Sequence, residues 1–183
     1  MCGIAGWVGQ DSLNQGIFDR KLQAVKRMIQ LQNHRGPDAN GVFEDRKCNV
    51  IFGHNRLSIL ELSDAGAQPM FDQSKNWLIS YNGELYNYQK IKQELIERFS
   101  VKFRGNSDTE AVLYGVIHFG IDEFLRKADG MFAFAIYNRS RREVFLARDR
   151  VGEKPLYFFK SKEGLSFASE LKVLGEIFDG NLG

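Results

Sequence analysis

Cysteine is scarce in this chain of 183 residues: there are two, Cys2 and Cys48. A single pair cannot build a disulfide framework, which speaks for a reducing cytoplasm. Histidine is nearly as rare, and His34, His54 and His118 stand at no metal-ligand spacing to one another or to the cysteines, so no metal is expected. Net charge is small as well. The 25 basic residues exceed the 23 acidic ones by two, and only Arg139, Arg141 and Arg142 form a tight basic group, which gives nucleic acid no footing. The apolar opening from Cys2 to Gly9 is too short for a signal peptide. A hydrophobic fraction of 43% and a charged fraction of 26% are those of a soluble globular domain, with no sign of membrane residence. Repeats, low-complexity tracts and linkers are missing too, and the length leaves no room for a second catalytic domain, so residues 1–183 are read as one domain.

What is present is a series of short apolar or aromatic runs. The stretch Cys2 to Val8, bearing Gly3 and Gly6, reads as a buried strand with close backbone approach. Further strands are expected at 50–59, 77–82, 131–138, 143–147, 156–159 and 165–168. Met131 to Tyr137 is apolar on both alternating faces, so that strand must be covered on both sides. Leu22, Val25 and Ile29 mark one face of a helix over 19–32, with Asp19 as its N-cap. Two more helices are expected at 88–99 and 109–119, the second opened by a capping box in which Ser107 and Glu110 satisfy backbone donors. The closing segment 176–183 reads as a fading edge.

Cys2 is the first candidate for chemistry. Aminopeptidase removal of Met1 would leave one residue holding both a thiol and a free α-amine. With unperturbed pKa values of about 8.5 and 7.7–8.0, the amine takes the thiol's proton near neutral pH at little cost, and no histidine base is needed. Free cysteine is also often a plain buried hydrophobe, so position alone does not decide.

Other blocks stand with it: Cys2-Gly3-Ile4-Ala5-Gly6, His34-Arg35-Gly36-Pro37-Asp38, Gly53-His54-Asn55-Arg56-Leu57-Ser58-Ile59, Asn82-Gly83-Glu84-Leu85-Tyr86-Asn87 and Ser107-Asp108-Thr109-Glu110. The set resembles the class II glutamine amidotransferases, which are N-terminal-nucleophile hydrolases, and within them the glutaminase domain of glutamine-dependent asparagine synthetase. Asp64 to Met70, Asp129 to Ala135 and Ala147 to Tyr157 resemble that branch in the same order. The resemblance implies an α+β fold, a four-layer αββα sandwich of two stacked, mainly antiparallel sheets between helical layers.

It also implies roles. Cys2, Asn82 and Gly83 are the catalytic set, with Asn82 and Gly83 as the oxyanion hole; Asn-Gly as a plain hairpin turn is the rival reading. Arg56 would grip the carboxylate of L-glutamine, where the alternative is a surface arginine on a strand. Glu84 and Asp108 would hold its ammonium, although helix capping explains Asp108 nearly as well. Backbone groups from Arg56 through Leu57, Ser58, Ile59 and Leu60 would complete the pocket, and Arg35, Gly36 and Asp38 would lie in a loop near the nucleophile. The implied activity is hydrolysis of glutamine to glutamate and ammonia through a γ-glutamyl thioester. The ammonia would go to an ATP-dependent synthetase domain or subunit. No Ser-Gly-Gly pyrophosphate loop occurs in this sequence, so ATP and Mg are expected only in that other domain and no cofactor in this one. L-glutamine and the synthetase are the expected partners, a homodimer is compatible with them, and nucleic acid and membrane are not. Two other readings stay open: a catalytically silent glutamine-sensing or docking module of the same fold, and an N-terminal-nucleophile hydrolase acting on another amide.

Overall fold

A computed structural model describes residues 1–10, 15–58 and 64–178. Nine strands are present among them: β1 (Gly3–Gly9), β2 (Ala39–Asp45), β3 (Val50–Arg56), β4 (Met70–Phe71), β5 (Trp77–Leu85), β6 (Gly130–Asn138), β7 (Glu143–Arg148), β8 (Tyr157–Ser161) and β9 (Gly164–Ala168). The helices are α1 (Gln15–Leu31), α2 (Tyr88–Phe99), α3 (Asp108–Phe119), α4 (Ile121–Lys127) and α5 (Leu171–Leu174). One sheet has the order β2-β3-β1-β9-β8 and the other β4-β5-β6-β7, and the strand pairs are antiparallel.

The layering follows from which residues alternate. Along β6, Phe132, Phe134 and Ile136 pack with α2 and α3 residues such as Leu95 and Val112, while Ala135 and Tyr137 turn the other way to meet Ile4, Phe52 and Phe167 of the first sheet. The outer face of the first sheet carries Ala5, Trp7 and Ile51 against Val25, Met28 and Ile29 of α1. Helix, sheet, sheet, helix is therefore the stacking, as the two-faced apolar run of β6 requires. Full burial of each such Phe or Ile contributes about 1.5–3 kcal/mol. A strand buried on both faces thus ties two layers at once.

Two glycines make the close approaches possible. A Cβ on Gly6 would stand 2.3 Å from the Phe167 ring and 2.6 Å from the Ile51 carbonyl oxygen. Asn82 and Gly83 pair with Ala133 and Phe132 in the middle of the β5–β6 ladder, which removes the hairpin-turn reading. At Gly83 a Cβ would meet the Met131 carbonyl oxygen at 2.5 Å and the Phe132 Cβ at 2.7 Å. Both obstacles belong to a paired strand, so Gly83→Ala is expected to lower the denaturant midpoint by the equivalent of about 1–3 kcal/mol. An unchanged midpoint would show that β6 gives way freely.

Several local expectations need correction. Helix α1 begins at Gln15, so Asp19 lies inside it; the apolar stripe runs back to fully buried Phe18, and the exposed Asp19 carboxylate pairs with Arg46 at 2.7 Å. Ser107 does cap α3, accepting the Thr109 N–H at 3.1 Å. Glu110, however, accepts N–H bonds from Arg104 and Gly105 at 3.1 and 2.9 Å, because its side chain is buried beneath that loop, and this replaces the second arm of the capping box. Strands β2 and β4 and helix α4 were not legible: β2 is a polar, largely exposed edge strand, β4 has two residues and α4 seven. At the chain's end Ile177 is buried and its carbonyl takes the Lys21 ammonium at 2.9 Å, so that part of the closing segment is anchored. Ile59 falls outside the described residues, as do Leu60 and positions 179–183.

Candidate active site

Four chain segments converge at one end of the sandwich. The β1–β3 register, with Gly3 opposite Asn55, carries Cys2 to a place opposite Arg56. The centre of β5 supplies Tyr81 through Glu84, and the first turn of α3 supplies Asp108. Cys2, Arg56, Leu57, Ser58, Asn82, Gly83, Glu84 and Asp108 all line a single cavity of about 190 Å³.

Cys2 is half-buried, and its Sγ accepts the Leu57 N–H at 3.4 Å and donates to the Leu57 carbonyl at 3.8 Å. Burial pushes the thiol above its ordinary value; the Leu57 N–H, the terminal ammonium and Arg56 pull it down, and Asp108 raises it again. The resting group is a thiol and needs a base.

Arg35, Gly36 and Asp38 do not line the cavity. They brace it from behind: Arg35 Nε donates to the Cys2 carbonyl at 3.0 Å, and Asp38 accepts the Ser58 N–H at 2.7 Å. Arg35 in turn meets Glu170 at 3.3 Å.

Asp108 is buried and is not the helix cap, since Ser107 fills that position. Its Oδ2 instead accepts the Tyr81 hydroxyl and the Leu85 N–H, both at 2.9 Å. Burial raises its carboxyl, the bonds from Leu85, Tyr81 and the Thr109 backbone hold it down, and Glu84 adds to the rise. Glu84 is exposed at the mouth. Asn82 is 1% exposed, and its side-chain Nδ2 has no hydrogen-bond partner among the described residues. Leaving such a donor buried and unpaired costs about 1–3 kcal/mol.

Tyr81, Gln68 and Lys154 share this wall with Met1, and these three were not singled out from the sequence as site residues. Tyr81 faces away from Asn82 on β5 and meets Asp108 only because α3 packs there, 27 positions later in the chain. Lys154 is delivered by a loop whose backbone N–H groups at Glu153 and Lys154 bond the Asp149 carboxylate at 2.8 and 2.9 Å; its Nζ lies 3.6 Å from the Met1 sulfur.

The glutamine amidotransferase domain family matches residues 1–181. The chain belongs to that family. Asparagine synthetase (glutamine-hydrolyzing) 1 of Bacillus subtilis strain 168 is 39% identical to this amidotransferase domain over 174 residues, 95% of this chain and 26% of that protein. Asparagine synthetase B (glutamine-hydrolyzing) of Escherichia coli K12 is 39% identical over 166 residues, 87% of this chain and 29% of that one. Amidase chry2 of Gibberella zeae is 36% identical over 177 residues, 94% and 26% of the two chains. The domain thus spans between a quarter and a third of the length of these relatives. Among solved structures, the B. subtilis glutamine phosphoribosylpyrophosphate amidotransferase, complexed with ADP and GMP, superposes with a TM-score of 0.75 at 21% identity, over 97% of this chain and 44% of that one. That likeness establishes the shared fold. Among the described residues of the amidotransferase domain, no helix is long and apolar enough to cross a membrane.

Proposed function

We propose that this domain hydrolyses L-glutamine to L-glutamate and ammonia through a thioester on Cys2, and that the ammonia passes to an ATP-dependent domain of the asparagine-synthetase type. The observation that carries this reading is the sharing of one cavity by a thiol, a buried and unpaired amide donor, a guanidinium and two carboxylates: Cys2, Asn82, Arg56, Glu84 and Asp108. Glutamine's amide, carboxylate and ammonium each find a complement there.

The cycle balances as follows. Once Met1 is removed, the freed α-amine of Cys2 takes the thiol proton, and the sulfur forms a bond to the substrate's amide carbon. The oxyanion draws on Asn82 Nδ2 and the Gly83 N–H. The amine returns the proton to the leaving nitrogen, the C–N bond breaks and ammonia departs. Water then attacks the thioester carbon, gives up a proton through the same amine, and frees glutamate and the thiol. Met1 is 55% exposed, open to an aminopeptidase; while it remains, the nitrogen is an amide and cannot act as the base.

A glutamine-sensing module of the same fold would need the charged groups but not the nucleophile, so Cys2 beside Asn82 favours turnover. On this reading the choice of ammonia acceptor belongs to the partner domain and the setting is the cytoplasm; relatives named both as asparagine synthetases and as an amidase are compatible with an acceptor that varies. The test is intact mass before and after incubation with 6-diazo-5-oxonorleucine, with glutamate release measured in parallel. Loss of Met1 and glutamine-protected alkylation at Cys2 alone are expected; a chain free of Met1 that neither reacts nor releases glutamate would overturn the glutaminase reading and leave the silent module or a hydrolase of another amide.

Arg56→Lys is expected to raise KM for glutamine roughly tenfold while kcat changes little, since a point charge gives up one of two charge-assisted bonds to the carboxylate. An unchanged KM would remove Arg56 from the carboxylate site.

A further inference from the structure

We infer that His54 is a positioning residue of this site, whose neutral imidazole, donating Nε2–H to the Tyr81 carbonyl, sets the strand carrying Asn82 and Gly83 against the strand carrying Arg56. The inference rests on the glutaminase reading and assigns a role to a side chain that does not itself line the cavity.

His54 is fully buried on β3, two residues before Arg56 and so on the same face of the strand. Its Nε2 lies 3.0 Å from the Tyr81 carbonyl oxygen of β5, in the opposite sheet. β4 pairs with β5 only at Leu78 and Ile79, so Tyr81 lies past the end of that ladder. Side chains take the place of the missing strand: the Tyr81 N–H goes to Gln68 Oε1 at 2.7 Å and its carbonyl to His54. Because a carbonyl can only accept, the proton sits on Nε2, and Nδ1 is a bare acceptor with no partner among the described residues. Burial, with the Arg56 charge close by, pushes the ring's pKa down to about 4 against the pull of the Tyr81 bond, so the imidazole is neutral at working pH.

The bond is placed where small movements reach three groups together. Tyr81 directly precedes Asn82 and Gly83, and its hydroxyl holds Asp108 on the other face. Cys2, by contrast, is anchored by Arg35 and Leu57. Releasing the Tyr81 carbonyl therefore displaces the oxyanion donors without disturbing the thiol. A histidine that only filled the core would not separate these effects.

The test compares Met1-free wild type, His54→Leu and His54→Gln; the glutamine amide nitrogen can stand where Nε2 stands. His54→Leu is expected to lose about 10²-fold in kcat, the scale of a misplaced catalytic group, with a smaller rise in KM transmitted through Tyr81 to Asp108 and an unchanged rate of Cys2 alkylation by iodoacetamide. His54→Gln should recover most of the loss. If His54→Leu keeps the wild-type kcat, or loses iodoacetamide reactivity in step with kcat, the inference is overturned. A wild type without glutamine turnover removes the glutaminase reading and this inference with it. Should the leucine variant not fold, His54→Asn, whose amide stops short of the Tyr81 carbonyl, takes its place in the same assays with the same two outcomes, and ¹⁵N spectra of the wild-type histidines at pH 7 that show a proton on Nδ1 or a charged ring overturn the inference.

Discussion

Cys2→Ala is expected to reduce glutamate release from glutamine to background, a loss on the order of 10⁴–10⁶ in kcat, as when a covalent nucleophile is deleted from a working site. The physical reason is that no second group can replace it. The other cysteine, Cys48, lies in the turn between β2 and β3 and is not in the cavity wall, and water attacking an amide directly would need a base and a stabilised leaving group at once. Cys48→Ala should accordingly keep full activity. The same logic separates the thiol from its base. A chain that retains Met1 has Cys2 in place but its nitrogen tied up as an amide, while burial holds the thiol above its ordinary pKa. It should be as inactive as Cys2→Ala although its fold is the same. Glutamate release by the Met1-bearing, Met1-free and Cys2→Ala proteins, each checked by intact mass, measures both points. Turnover by Cys2→Ala would end the thioester mechanism, and turnover by the Met1-bearing chain would remove the α-amine as base.

Asn82→Ala should lose about 10²–10³ in kcat with a modest change in KM, the cost of removing one preorganised oxyanion donor. Stability is the second readout, and here the expected sign is unusual. A buried asparagine that held the fold together would destabilise the protein when removed. Asn82 Nδ2 has no partner among the described residues, so truncation relieves an unsatisfied donor, and the variant should be as stable as wild type or more so by about 1 kcal/mol. A loss of kcat without a loss of stability would mark Asn82 as a donor reserved for the transition state. Steady-state kinetics and a denaturant midpoint on the same preparation test both halves. A wild-type rate would take Asn82 out of the mechanism, and a large fall in midpoint would make it a structural residue.

Much of this was legible along the chain wherever the information is local. Helix α2 occupies the residues its apolar period predicts, and the two-faced apolar run of β6 implies cover on both sides, which the helices and the other sheet provide. Elements without a period of their own were not legible. β2 is a polar edge strand formed by pairing with β3, and β4 exists as two residues on the flank of β5. Helix α1 starts earlier than its supposed cap because burial of Phe18 outweighs the preference of Asp19 for a helix end.

The candidate site divides in the same way. Which residue types are available for chemistry was set by the sequence alone: a cysteine that becomes N-terminal when Met1 leaves, an Asn-Gly pair, one arginine and the acidic residues at positions 84 and 108. Their meeting was decided by the tertiary structure. Cys2 faces Arg56 through the register of β1 on β3, Asp108 turns from capping to the Tyr81 hydroxyl because α3 packs over β5, and His54 reaches the Tyr81 carbonyl because the two sheets stack. Hydrogen bonds between residues tens of positions apart depend on how layers settle on one another, and no periodicity along the chain encodes that distance.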